Sequence, residues 1–195
     1  MGWMISFIEK LCGCMAEKGV IKNEDIELCR YGIRNGLILA GNLIITVLVG
    51  IVTGRLEVVL AFLLFFMMLR SYSGGFHLES KWGCFLLSVL VLLIPIYTDD
   101  WVRKNVPEIV ILLLGVAAVI TVIVLSPVES IHKRLEPKER TYFRRVSHCI
   151  VTLEGCAVLF LYVAKQYPYF YAGYCSILLT AASMLLGQLV SKHYT

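Results

Sequence analysis

The chain has 195 residues, of which 58% are hydrophobic and only 16% are charged, and its mean hydropathy is +0.78. Water-soluble globular proteins carry about 25% charged residues, so the composition excludes a soluble globule and predicts an all-α integral membrane protein. The formal charge of +4 is modest, and no stretch between the apolar segments is long enough to fold separately. We therefore expect one membrane domain over residues 1–195 and no nucleic-acid partner.

Residues 1–22 have the pattern of an amphipathic helix that lies flat on the membrane surface. Apolar side chains recur three and four positions apart from Trp3 to Met15, and charged side chains fall between them. Asn23, which precedes two acidic residues, predicts the start of a second helix. This helix leads into a six-span bundle that occupies residues 23–195.

Six apolar segments are candidates to cross the membrane, because roughly 20 helical residues span a hydrocarbon core of about 30 Å. The second segment is the weakest, since its 12 residues rise only about 18 Å as a helix. It must either extend through polar residues or end inside the membrane. The predicted spans are 36–52, 58–69, 82–97, 109–125, 146–164 and 170–190.

Lysine and arginine are distributed unevenly between the two sides of this bundle. With a cytoplasmic amino terminus, 14 of the 18 lysines and arginines lie on the inner side and four lie on the outer side. This bias follows the positive-inside rule. We therefore expect both termini, and residues 70–81, on the cytoplasmic side.

Residues 70–84, RSYSGGFHLESKWGC, interrupt two apolar segments and carry the candidate chemistry. A cysteine becomes nucleophilic as a thiolate, and the imidazole of His77 could withdraw the proton of Cys84. In a straight helix their spacing of seven would separate them by about 10.5 Å along the axis, which is too far for a hydrogen bond. The backbone must therefore depart from a regular helix, or His77 must lie on a loop that folds back. Gly74, Gly75 and Gly83 permit such a bend.

Two further features of the motif bear on its chemistry. If Cys84 lies in the first turn of a helix that starts near Trp82, the helix dipole favours its thiolate. Arg70 is either an anchor at the membrane interface or a fixed charge that holds a substrate carboxylate or oxyanion. Residue types alone also allow a simpler interpretation, in which Cys84 is a buried thiol and His77 faces water.

The motif Arg70, Gly74-Gly75-Phe76-His77 and Cys84 resembles the signature of the accessory gene regulator B family, membrane-embedded bacterial cysteine endopeptidases that mature a quorum-sensing propeptide. The resemblance implies that His77 and Cys84 are catalytic and that Arg70, Gly74 and Gly75 support activity or bind substrate. It also implies an acyl thioester on Cys84, resolved to a cyclic thiolactone or lactone peptide.

The same resemblance implies a bacterial plasma-membrane protein whose partners are the propeptide, membrane lipids and a second copy of the chain in a homodimer. It implies no metal and no organic cofactor. The alternative function is a non-enzymatic peptide exporter or membrane scaffold, in which residues 70–84 line a path.

Three other features allow more than one interpretation. The basic loop 128–145 holds six basic and three acidic residues, and either contacts anionic lipids or docks an acidic propeptide tail. Glu154, inside the fifth span, is either functional or part of a structural polar cluster with Asn42 and Gln188. His148 and Cys149 are a poor dyad, because adjacent helical residues diverge by about 100 degrees.

Overall fold

The structure is a computed structural model that describes residues 2–75, 81–128 and 136–193. Over these ranges the chain is helical, apart from turns and one isolated β-bridge, which confirms the all-α membrane fold. The helices are α1 (Gly2–Glu17), α2 (Ile26–Val52), α3 (Leu56–Ser73), α4 (Lys81–Tyr97), α5 (Asp99–Asn105), α6 (Glu108–Leu125), α7 (Pro137–Val163) and α8 (Tyr167–His193), with a 3-10 turn at Asn23–Asp25.

Each predicted span coincides with a helix, except that Ala164 lies one residue beyond the end of α7. Within the described ranges, α2, α3, α6, α7 and α8 are long and apolar enough to cross a membrane. The shorter α4 covers 17 residues at the predicted third span. The weak second span extends through polar residues, since α3 continues beyond Leu69 to Ser73.

The predicted basic loop 128–145 is shorter than the sequence suggested, because α7 already begins at Pro137. A capping box starts this helix. The Glu136 side chain accepts from the backbone of Glu139, and the Glu139 carboxylate accepts from the Glu136 backbone N–H at 3.3 Å. Proline at the first helical position is also favourable. These capping interactions stabilise a helix in a segment whose polar composition predicted a loop.

The chain divides into two compact units, Met1–Ile45 and Thr46–Thr195, and the division falls within α2. In the first unit, α1 buries Ile8 and Cys12, and the Cys12 thiol lies 3.4 Å from the Cys29 sulfur. Burial and the neighbouring Cys29 thiol raise the pKa of Cys12. Cys14, two residues further along α1, is exposed.

The core of the second unit contains buried residues of α3, α4, α6, α7 and α8. Three of these helices, α3, α7 and α8, pack closely at Gly173 on α8. A methyl group placed there would lie 2.7 Å from a methyl of Val158 on α7 and 3.2 Å from the Phe65 ring on α3. Glycine therefore allows three helices to approach at one level. Val151 of α7, Phe62 and Leu69 of α3 and Met184 of α8 are among the buried residues of this core.

α6 buries Ala118 and Val122 in the same core, and hydrogen bonds join it to α7 and α8. The Tyr174 hydroxyl of α8 donates to the Ile111 carbonyl at 3.0 Å, and the His148 ring of α7 lies 2.9 Å from the Ile123 carbonyl. The opposite face of α6 exposes large apolar side chains, including Leu113 and Val124, as expected for a helix in contact with lipid.

Gly173→Ala should destabilise the protein by about 1–3 kcal/mol, because the added methyl group overpacks the junction of α3, α7 and α8. Gly41→Ala in α2 is the control, since nothing lies within 4 Å of a methyl group there. This control should be neutral or stabilising by up to about 1 kcal/mol, as expected from helix propensity. Thermal unfolding in detergent measures both, and equal midpoints for the two variants would contradict the close packing at Gly173.

Candidate functional site

Two hydrogen bonds between Arg70 and Gly74 form a turn at the carboxyl end of α3. Gly74, the residue after the helix, has φ +72° and donates its N–H to the Arg70 carbonyl at 3.3 Å. The Arg70 guanidinium in turn donates to the Gly74 carbonyl. Arg70 therefore holds the turn that begins the motif, a role in addition to the two that the sequence suggested.

The same turn is attached to the connection between α6 and α7. The Val128 N–H donates to the Ser73 carbonyl at 2.9 Å, and Gly74 forms an isolated parallel β-bridge with Val128. A side chain at Gly74 would overlap the Val128 carbonyl oxygen. Only glycine fits here, because both the left-handed φ and the close approach of a second backbone exclude a Cβ atom.

Gly75 continues the turn and is also closely surrounded. It is buried with φ +128°, and a Cβ atom there would overlap the Arg70 guanidinium and lie 2.9 Å from the Ser183 hydroxyl of α8. The turn is therefore packed between the last turn of α3 and the carboxyl-terminal half of α8.

A hydrogen bond between helices fixes the end of α3 from the other side. The Ser73 and Ser147 hydroxyls lie 2.8 Å apart, and both residues are completely buried. A buried bond of this kind stabilises a fold by about 0.5–1.5 kcal/mol. We name the assembly of Arg70, Ser73, Gly74, Gly75 and Val128 the glycine turn.

The two predicted catalytic residues follow the glycine turn directly. His77 lies in segment 76–80, outside the described residues, so its proposed return towards Cys84 stays a prediction. Cys84 is the fourth residue of α4, in its first turn, and its side chain is outside the described part of the structure. The backbone is helical from Lys81 onwards, so any departure from a helix between the pair lies before that residue and not at Gly83.

Comparison with known families identifies the group to which this chain belongs. The family described as AgrB, accessory gene regulator B, matches residues 8–185, which include the whole motif. The chain is a member of the AgrB family. Its accessory role in quorum sensing follows from this membership. No curated protein and no solved structure matches the chain.

This AgrB-family chain also buries polar groups in the core between its helices. Glu154 is 4% exposed, and neither carboxyl oxygen has a hydrogen-bond partner among the described residues. The hydroxyls of Ser176 and Thr180 are also buried and have no hydrogen-bond partner among the described residues. Val158 of α7 lies next to Gly173 of α8. Glu154 and Ser176 each lie about one helical turn from this contact in the direction of the motif, so they are at the same level. Gln188 is exposed, and it makes no hydrogen bond with the Glu154 carboxyl group.

Several residues of the candidate site were absent from the sequence prediction. Ser147 and Ser183 gave no signal, because single serines within apolar spans are common at helix contacts. Val128 contributes through its backbone, which no side-chain pattern reveals. The adjacent His148 and Cys149 diverge as expected, since the His148 ring contacts α6 and Cys149 is exposed.

Gly74→Ala should disrupt the glycine turn, because the new side chain meets both an unfavourable φ and the Val128 carbonyl oxygen. Gly54→Ala is a matched control, since Gly54 has a similar φ of +66° but nothing within 4 Å of an added Cβ atom. We expect Gly74→Ala to destabilise the protein by at least about 1 kcal/mol more than Gly54→Ala, as measured by thermal unfolding. Equal losses of stability in the two variants would show that only backbone strain matters at Gly74 and that the close approach of Val128 has no effect.

Glu154→Met should stabilise the protein by about 1–3 kcal/mol, because it removes buried polar atoms that have no partner and keeps a similar side-chain length. Gln188→Met, at an exposed position of α8, is the control and should change the unfolding midpoint little. A lower midpoint for Glu154→Met would indicate that Glu154 binds a stabilising group within the bundle.

Proposed function

We propose that this AgrB-family chain is a membrane-embedded cysteine endopeptidase that cleaves a small membrane-associated propeptide. The observation that carries the proposal is the family match across the whole motif. Two structural facts support it: the glycine turn is fixed immediately before His77, and Cys84 lies in the first turn of α4.

In the proposed first step, His77 takes the thiol proton of Cys84, and the thiolate attacks the carbonyl carbon of the scissile peptide bond. The carbon–nitrogen bond breaks, and the His77 imidazolium returns its proton to the leaving amine. The amino-terminal part of the propeptide is then held as an acyl thioester on Cys84. The amino end of α4 favours the thiolate, because unpaired backbone N–H groups give this end a partial positive charge.

In the second step, a thiol or hydroxyl group within the same peptide attacks the thioester carbonyl. The bond to Cys84 breaks, its thiolate is regenerated, and the attacking group loses its proton to His77. The product is a cyclic thiolactone or lactone. A thioester keeps the acyl group activated for this exchange, whereas a free carboxylate would not react.

The arrangement in the membrane is part of the proposal. The excess of lysine and arginine on one side supports a motif and termini on the cytoplasmic side. We also propose that the substrate approaches from the inner membrane surface and that the chain acts as a homodimer. Within this scheme Arg70 is a positioning residue, since its guanidinium donates to the backbone of the glycine turn.

Mass spectrometry of the purified protein in lipid nanodiscs, incubated with its propeptide, tests the reaction. We expect a peptide adduct on Cys84 and a released carboxy-terminal fragment, both absent from Cys84→Ala and His77→Ala. Cys84→Ser should reduce cleavage by several orders of magnitude, because a hydroxyl is rarely ionised near neutral pH. Cys156→Ala is the matched control, since Cys156 is an exposed thiol elsewhere and its loss should leave cleavage unchanged.

The exporter or scaffold makes the opposite prediction for the same variants. A transport path should tolerate Cys84→Ser, and the propeptide should remain intact with the unaltered protein. Intact propeptide and unmodified Cys84, in a protein with a normal unfolding midpoint, would therefore overturn the peptidase proposal.

A further inference from the structure

A groove of about 580 Å³ lies along α6, between α7 and α8. Its volume falls within the range of about 300–1,000 Å³ that is typical of small-molecule sites. Gly115 of α6 and Gly155 of α7 line it, and a Cβ atom at Gly155 would have only a methyl of Val119 within 4 Å, at 3.9 Å. The missing side chain at Gly155 therefore leaves open space in a surface that is otherwise covered by large apolar residues.

The length and composition of the groove match one leaflet of a bilayer. Its lining on α6 runs from Glu108 to Ile120, 13 residues whose first and last lie about 18 Å apart along the helix axis, against about 15 Å for half of the hydrocarbon core. The lining is apolar along this length, with ionisable and hydroxyl groups such as Glu108 and Tyr162 concentrated at one end. One extended hydrocarbon chain, with its polar group at the Glu108 end, fits this distribution.

A second cavity of about 320 Å³ adjoins the groove at that end. The two cavities share Glu108, Ile111, Tyr162 and Phe170 in their linings. The second cavity is ionic, and its charged lining residues are Arg55, Asp99, Asp100, Arg103 and Glu108.

The charges in this second cavity are already partly paired. Arg55 lies 3.2 Å from Asp99, and Arg103 lies 3.3 Å from Asp100. Arg103 and Asp100 are both more than half exposed, so they can contact a ligand. With two cations and three carboxylates, the lining offers sites for a phosphate and for an amine, and it disfavours a ligand that brings only negative charge.

We propose that the two cavities form one site for a phospholipid with an amine-bearing zwitterionic headgroup. One acyl chain lies in the groove, the phosphate contacts Arg103, and the ammonium group lies between Asp100 and Glu108. The acyl chain gains little by leaving the bilayer, because lipid tails are as apolar as the groove. The headgroup contacts therefore determine which lipid is retained.

Native mass spectrometry of the protein, released from vesicles of equal phosphatidylethanolamine and phosphatidylglycerol content, tests this site. We expect phosphatidylethanolamine to be retained with a preference of about fivefold, which corresponds to about 1 kcal/mol. Arg103→Gln and Asp100→Asn should each reduce this preference towards one, because each removes one half of the headgroup contact.

Gly155→Leu should fill the groove and abolish retention of the bound lipid. Gly41→Leu is the matched control, since it adds the same side chain to α2 where nothing lies within 4 Å of a Cβ atom. If Gly155→Leu fails to fold, Leu112→Trp at an exposed position of the same lining provides the same test. Equal retention of both lipids, unchanged retention in the filled groove, or a second copy or peptide bound there instead would overturn the proposal.

Discussion

The close packing of α3 between α7 and α8 is the constraint on which the rest of the second unit depends. α3 ends in the glycine turn, and its position is fixed by the contact of Phe65 with Gly173 and by the Ser73–Ser147 hydrogen bond. In a membrane the helices gain little from the hydrophobic effect on association, so close contact at small residues and buried hydrogen bonds carry the stability. The contacts that stabilise the core therefore also fix the position of the motif at the end of α3.

This arrangement assigns different tasks to the parts of the motif. Gly74 and Gly75 are required because neighbouring groups occupy the space where a Cβ atom would lie. Arg70 contributes a charged hydrogen bond to the backbone at a point where the helix would otherwise leave carbonyl groups unpaired. The glycine turn therefore fixes the direction of the chain ahead of the proposed catalytic residues His77 and Cys84. Binding of substrate need not order the backbone of this turn.

The sequence was sufficient to predict the all-α membrane fold and the positions of six apolar helices, because long apolar segments in a membrane form helices. Five of these helices are long and apolar enough to cross a membrane within the described ranges. It also revealed the family, since the spacing of Arg70, His77 and Cys84 is a distinctive local pattern. The extent of the basic loop was wrong, because composition outweighed the capping signal at Glu136 and Pro137. The contacts of Gly74 with Val128 and of Gly75 with Ser183 could not be predicted, because they join residues more than 50 positions apart.

α3 is held at both ends by arginines that are already engaged. Arg55 pairs with Asp99 before its first turn, and Arg70 caps its last turn. Its 18 residues rise about 27 Å, slightly less than a typical hydrocarbon core of about 30 Å. A helix fixed in this way cannot relieve hydrophobic mismatch by sliding or tilting independently of its neighbours. A change in bilayer thickness therefore acts on α3 together with the helices packed against it, and the glycine turn moves with them.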